Sequence, residues 1–510
     1  MKFPIQNLIL FWILTEASNA ERYPETKAII QELTQKYNFK FGVSSSAFQI
    51  EGAWNESGTG ETMWGRYTID YPERIPDHSN AHVACDSYHN LERDINMLKF
   101  LGVKFYRFSI SWARLLPSPI LHDGVSQEAL KYYHNLIDQL KANNITPILE
   151  LFHYDMPKSV SDLGGWTNAK IIKYFVHFAR IVFDNFAHKV DIWVTINQSD
   201  NTCTLHYGSD LFPPVIDESG VAVYLCIRNM LLAHARVYHL YKNKYNLKNK
   251  GIMGIITKLD WYDPTTNSTE DLEFIKTFRK MMYGIYSDPI FSEGGDYPEI
   301  VKETVAKKSK QQGFHVSRLE LLTKDEVKYI RNTSDFFGLS YYTRVRIYKN
   351  PVEEKTNLEP QLEFKVKVPS FFDDMNYYVA SRDPTWKPTE ISRIMDSPEG
   401  LKNILLYIKH AYNNPKVFIL ENGCGTLHDT LYNDGCIEYF KGHLNAIYDA
   451  VVNEGCNIHA YGMWGLMDNF EWESGYTHRF GLFHTNFSDE KRSTKPKATA
   501  YFVKEILDAK

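Results

Sequence analysis

Val417-Phe418-Ile419-Leu420-Glu421-Asn422-Gly423 runs four apolar residues straight into a carboxylate and then into Asn-Gly. The apolar run predicts a buried parallel strand, and Asn-Gly predicts the turn that ends it. A carboxylate closing a buried strand is unfavourable unless it reaches solvent, is paired, or is put to chemical use. The rest of the chain decides between a solvent-reaching Glu421 and a working one.

Working outward, one unit recurs: a short β-branched and aromatic run, then an amphipathic helical stretch. Strands are predicted at Phe39–Ser46, Lys104–Ser111, Thr146–Phe152, Ile192–Asn197, Gly251–Thr257, Asp335–Tyr342, Lys416–Glu421 and Ile458–Leu466. Helical periodicity covers Ala84–Leu101, Gln127–Asn143, Ala169–Ala187, Val221–Tyr245, Pro398–Asn413 and Ile437–Val452. Alternating strands and helices imply a parallel sheet, and eight such units predict closure into a single-domain (β/α)₈ TIM barrel. A doubly wound open sheet is the alternative, but no Gly-rich phosphate turn follows the first strand. Long Pro-, Asp- and Asn-rich stretches follow Ser111, Asn197, Trp261 and Tyr342. In a barrel such loops sit on the C-terminal face, where active sites are built.

A net charge of −5 argues against nucleic acid as a partner, since that calls for a basic footprint. The first residues read as a secretory signal over 1–20: Lys2, an apolar run from Leu8 to Leu14, and small residues at Ser18-Asn19-Ala20. That run is too short to span a bilayer, and no second long apolar run follows, so a secreted protein without membrane insertion is expected. In an oxidising compartment, Cys424 and Cys436 flank one polar loop and Cys203 and Cys226 bracket another, either pair being open to bridging, while Cys85 and Cys456 read as buried thiols; the sequence leaves the connectivity open. Glycan acceptor sequons occur at Asn55, Asn144, Asn197, Asn267, Asn332 and Asn486.

If the barrel holds, polar residues at the strand ends converge. The first strand leads to Gln49 and Glu51, the second carries Arg107, and the third runs into His153. The fourth ends in Asn197-Gln198, the sixth in Tyr342 and the seventh in Glu421; the eighth presents Trp464, then Glu471-Trp472. Singly, Arg107 reads as an internal ion-pair residue, His153 as a core histidine and the tryptophans as core filler. Together they form what a polyol ligand needs, hydrogen-bonding groups for hydroxyls and indole faces for a sugar ring. The histidines lack metal-ligand spacing on a common element, so no metal or bound cofactor is expected.

These residues fall in longer motifs. Phe48-Gln49-Ile50-Glu51-Gly52, Tyr106-Arg107-Phe108-Ser109-Ile110-Ser111-Trp112, Leu151-Phe152-His153-Tyr154-Asp155-Met156-Pro157, Glu421-Asn422-Gly423 and Asp468-Asn469-Phe470-Glu471-Trp472 are similar to the ordered motifs of glycoside hydrolase family 1. The resemblance covers nearly the whole chain and is strongest to animal, insect-type β-glucosidases and myrosinases. It implies retaining cleavage of a β-glucoside by two carboxylates roughly 5 Å apart. It makes Glu421 the nucleophile, held ionised by Arg107 and Tyr342. It also makes Gln49, His153, Asn197, Glu471 and Trp472 the glycone-binding set, and Trp464 the platform under the ring.

At the fourth strand the chain departs from the family. The family pattern is Thr-x-Asn-Glu-Pro, and this chain reads Thr195-Ile196-Asn197-Gln198-Ser199, so Gln198 stands at the acid/base position. Plant myrosinases also carry Gln there, cleave thioglucosides with good leaving groups, and borrow ascorbate as an external base. The plant enzymes have an Arg slightly downstream, where this chain has Leu205. Asp200 is a nearby carboxylate, and Tyr154 replaces a Trp of the family pattern. Three expectations follow: a hydrolase for glucosides with good leaving groups (thioglucosides or aryl glucosides), a catalytically silent sugar-binding protein, or a transglycosidase.

Overall fold

Eight parallel strands close on themselves: β1 (Lys40–Ser44), β2 (Phe105–Ser109), β3 (Thr146–Glu150), β4 (Ile192–Val194), β5 (Ile252–Lys258), β6 (Phe337–Ser340), β7 (Val417–Glu421) and β8 (Ile458–Trp464). Each pairs with its neighbours in sequence, and β1 closes the ring on β8 with Gly42 opposite Gly462. The computed structural model describes residues 22–118, 124–216, 218–246, 250–349, 368–376 and 378–508. The targeting segment expected over 1–20 lies outside the described residues.

The barrel is filled rather than hollow. Phe105, Ile148, Val194, Ile256, Phe336, Phe418, Leu420 and Ala460 form one buried cluster inside it. A larger apolar layer packs the outer strand faces against helices, among them Leu91–Leu101, Gln127–Ala142, Ile171–Phe186, Ser219–Leu240, Pro398–Ala411 and Asp434–Val452. Local signals set their ends. Ser126 caps its helix by accepting from Ala129 N, Gly102 closes the Leu91–Leu101 helix in the left-handed region, and Pro398 opens its own. The long segments after β5 and β6 contribute the short strands Trp261–Pro264, Arg344–Lys349 and Tyr378–Ser381, which pair into a separate sheet.

Most boundaries shift by one to three residues, and two differences bear on the site. The helix expected from Ala84 begins at Leu91. Ala84 and Asp86 sit at φ +46° and +54°, and the amides of Cys85 and Ser87 bond Ile50 O while that of Tyr88 bonds Glu51 O. Tertiary hydrogen bonds thus replace the first helical turns. The fourth strand stops at Val194 by its ladder, yet Thr195 N still bonds Gly254 O and Asn197 N still bonds Phe152 O. The chain therefore delivers Asn197 to the C-terminal face before it turns at Gln198, whose φ is +41°.

Disulfides join Cys203 to Cys226 and Cys424 to Cys436, and Cys85 and Cys456 are buried free thiols. Among the described residues no helix is long and apolar enough to cross a membrane.

Candidate active site

Alternation along the barrel strands carries charge to the top of the core. Phe105 and Ile148 fill the barrel, so Arg107 and Glu150, two residues further on, also point inward. On β7 the same rule would turn Glu421 outward, because Leu420 belongs to the barrel interior. The pairing of β7 with β6 slips between Ile419 and Glu421, and this irregularity re-aims the carboxylate into the barrel mouth. The residues after it hold the strand end in place. Asn422 donates to Tyr341 O and the Tyr439 hydroxyl and accepts from Tyr461, and a Cβ on Gly423 would fall 2.4 Å from Trp464 O. Asn-Gly is therefore a packed latch as well as a turn.

Glu421 is 2% exposed and both its oxygens are engaged. Arg107 Nη1 donates to Oε1 at 2.6 Å; the Tyr342 hydroxyl donates to Oε2 at 2.9 Å, and Gln198 Nε2 donates to the same oxygen at 2.7 Å. Arg107 bridges a second acid, donating through Nη2 to Glu150 Oε2 at 2.5 Å. Burial alone would disfavour its charge, but Glu150 and Glu421 outweigh that and raise its pKa. Burial, reinforced by Glu421, pushes the Tyr342 phenol well above its ordinary value, so it stays a donor. Three donors on one carboxylate fix its orientation.

The opposite wall is aromatic and polar. His153 lies with Nδ1 3.1 Å from Glu150 Oε2 and Nε2 3.1 Å from Asn197 Nδ2. Its ring is nearly parallel to Trp464 at 5.6 Å and to Trp472 at 5.9 Å. Asn197 Oδ1 is buried with no partner, an acceptor free for a ligand hydroxyl. Gln49 accepts from the Ser46 hydroxyl and donates to Asn469 Oδ1, Phe470 O and, at 3.4 Å, Glu471 Oε2. Burial lifts the Glu471 carboxyl to about 8, against a weaker lowering by Arg393. All ten residues singled out at the strand ends as catalytic or sugar-binding lie in this one connected set.

Glu51, expected to converge with them, does not. It accepts from Arg114 Nε at 2.8 Å and from Tyr133 at 2.7 Å, an internal ion pair away from Glu421. Asp200 is likewise turned away, its Oδ1 accepting from Lys258 N at the end of β5. Burial of Asn197 leaves no room for a glycan at that sequon, whereas Asn55, Asn144, Asn267 and Asn332 are exposed. Sequence reasoning missed Glu150, although a lone carboxylate in the apolar run Ile148-Leu149-Glu150-Leu151-Phe152 is the same signal that marked Glu421. It also missed Asn201, whose Nδ2 donates to Gln198 Oε1 at 2.8 Å, and gave no role to Tyr154, whose hydroxyl donates to that oxygen at 2.6 Å.

Comparison with known proteins agrees with this geometry. Myrosinase 1 of Brevicoryne brassicae is 36% identical over 477 residues, covering 93% of this chain and 98% of that protein. Human cytosolic β-glucosidase is 36% identical over 475 residues, 92% of this chain and 97% of that one. Human lactase/phlorizin hydrolase is 36% identical over 476 residues, but there the chain spans 24% of the relative's length. Among solved structures, aphid myrosinase superposes with a TM-score of 0.85 at 35% identity, covering 92% of this chain and 98% of its own. A rice β-glucosidase, as a Glu-to-Gln mutant in covalent complex with glucose, superposes at 0.83 with 29% identity, covering 92% and 98%. The model of glycosyl hydrolase family 1 matches residues 32–510, and the chain belongs to that family.

Proposed function

We propose that this chain is a retaining β-glycosidase-type hydrolase acting on β-glucosides whose aglycones leave without protonation, such as thioglucosides or activated aryl glucosides. The observation that carries this reading is Glu421, buried at the barrel mouth with Arg107 and Tyr342 donating to its two oxygens. A sugar seated on Trp464, with its hydroxyls on Gln49, His153, Asn197, Glu471 and Trp472, presents its anomeric carbon to that carboxylate. Glu421 attacks, the bond to the aglycone breaks with its electron pair leaving on the aglycone, and a glycosyl ester forms. Water then attacks the anomeric carbon, Glu421 departs as a carboxylate, and the water proton passes to solvent or an external base such as ascorbate.

Gln198 sets the substrate class. It stands where the family resemblance places the acid/base Glu, and an amide donates a hydrogen bond without transferring a proton. Its nitrogen lies 2.7 Å from Glu421, so the residue is at the reacting centre rather than merely near it. The Glu-to-Gln mutant of the rice relative holds glucose covalently. An amide in place of a family carboxylate is thus compatible with forming the glycosyl-enzyme. A second reading rests on the same residue: both donors around Gln198 Oε1 leave no group to activate water, which favours a silent sugar-binding pocket or transfer to an acceptor that is already an anion.

Export is part of the proposal, supported by the two disulfides and the apolar N-terminal run. The test is hydrolysis of an aryl β-glucoside with a good leaving group, with and without azide, beside a glucosinolate with and without ascorbate. Turnover that is lost in Glu421→Gln supports the hydrolase. Silence under every condition, with activity gained in Gln198→Glu, moves the reading to the binding protein.

A further inference from the structure

We propose that Tyr154 and Asn201 are positioning residues that lock the Gln198 carboxamide with its nitrogen on Glu421 and its oxygen turned away. Two donors meet at one oxygen: the Tyr154 hydroxyl at 2.6 Å and Asn201 Nδ2 at 2.8 Å from Gln198 Oε1. The other end of the amide faces Glu421 Oε2 at 2.7 Å. Rotating the amide by half a turn would set its oxygen against the Glu421 carboxylate, which can only accept, and would break both bonds now donated to Oε1, so the observed orientation is the favoured one. The backbone serves the same end. Tyr154 sits at φ +69° and Gln198 at +41°, left-handed conformations that non-glycine residues adopt only where the surroundings hold them. Tyr154 is 6% exposed and Gln198 5%, so water does not compete freely for these bonds. Burial, then the charges of Glu421 and Asp200, push the Tyr154 phenol well above its ordinary value, which keeps the hydroxyl a donor.

This deepens the reading of Glu421 as nucleophile and rests on it. A locked amide remains a donor to the carboxylate that must depart when the glycosyl ester is cleaved. Its oxygen, saturated by two donors, is not offered to the attacking water. The same cradle fixes the character of any carboxyl placed at this position, because hydrogen bonds donated to a carboxylate favour its ionised form. The charged and titratable groups around position 198 are Tyr154 itself, Glu421 and Arg107, Tyr342, Glu150 with His153, and Asp200 and His206 on its own segment. The test substitutions alter none of them except Tyr154, and Asn201→Leu leaves all of them in place.

The test introduces Gln198→Glu alone and together with Tyr154→Phe or Asn201→Leu, and follows the introduced carboxyl by infrared difference titration. Removing either donor is expected to raise its apparent pKa by roughly one unit or more. The alkaline limb of kcat/KM moves the same way wherever turnover is measurable. An unchanged titration in both double variants overturns the proposal. A second readout needs no new acid and no activity. In glutamine-labelled wild type, the Gln198 side-chain amide, assigned by its loss in Gln198→Asn, exchanges slowly with solvent, and Tyr154→Phe speeds this at least about tenfold. Equal exchange in wild type and Tyr154→Phe also overturns it. Both readouts are independent of turnover, so a silent enzyme would refute the proposed activity without touching the lock.

Discussion

Gln198→Glu places a carboxyl where Gln198 Nε2 now lies 2.7 Å from Glu421 Oε2. Two full negative charges at that distance repel by roughly 6 kcal/mol at an effective dielectric of about 20. They do not coexist, and the pair holds one proton over the neutral range. The introduced group then alternates as acid and base, a contribution of roughly 10²–10⁴-fold, or about 2.7–5.5 kcal/mol of barrier. The gain depends on the aglycone. An alkyl β-glucoside needs the proton and gains most. A dinitrophenyl glucoside leaves without it and gains only in hydrolysis of the ester. The assay is kcat/KM against pH for a series of β-glucosides ordered by leaving-group acidity, in wild type and variant. A bell-shaped profile and a flatter dependence on leaving group are expected in the variant. No gain with an alkyl glucoside, in a variant that melts like the wild type and still binds a neutral glucoside-like inhibitor, would refute the reasoning.

Tyr342→Phe removes one charge-assisted bond to Glu421, worth roughly 1.5–3 kcal/mol, and should slow the glycosylation burst about 10–100-fold with little change in melting temperature. Arg107→Met leaves Glu150 and Glu421 buried without their shared cation; a stability loss of roughly 3–5 kcal/mol in denaturant melts is expected, together with loss of the burst. Glu471 has its carboxyl lifted to about 8 by burial, so it is protonated in the folded state where an unfolded one is ionised. The native state then binds the extra proton, and this group's contribution to stability falls as pH rises from the unfolded carboxylate range to about 8. Sugar binding, followed by calorimetry, should change as pH passes through about 8, and Glu471→Gln should flatten that dependence.

What the sequence made legible was whatever follows from local pattern. An apolar run ending in Glu421 announces both a buried strand and a misplaced charge, and the eightfold repeat of such runs announces the barrel. The site residues at strand ends were legible for the same reason: a parallel barrel gathers those ends at one mouth. Side-chain meetings across distant strands were not. Tyr154, Gln198 and Asn201 come together because the chain turns through positive φ just past β3 and β4, and nothing in the spacing of residues reports that. Glu51 looked like a member of the site because it follows Gln49 by two residues, yet Arg114 and Tyr133 hold it away from Glu421. The false start at Ala84 has a similar cause, since the amides of Cys85 and Ser87 prefer Ile50 O to their own helical partners. The slip that aims Glu421 inward is likewise a property of β7 against β6, not of β7 alone.

The central claim is that Glu421 forms a glycosyl ester in a site whose acid/base position carries an amide. Intact-protein and peptide mass spectrometry after incubation with an activated fluoro-glucoside bearing a dinitrophenyl leaving group tests it most directly. One retained fluoro-glucosyl group per chain, located on Glu421 and absent from Glu421→Gln, is the predicted result. An unmodified wild-type chain that still binds glucosides, or an adduct that persists in Glu421→Gln, would contradict it.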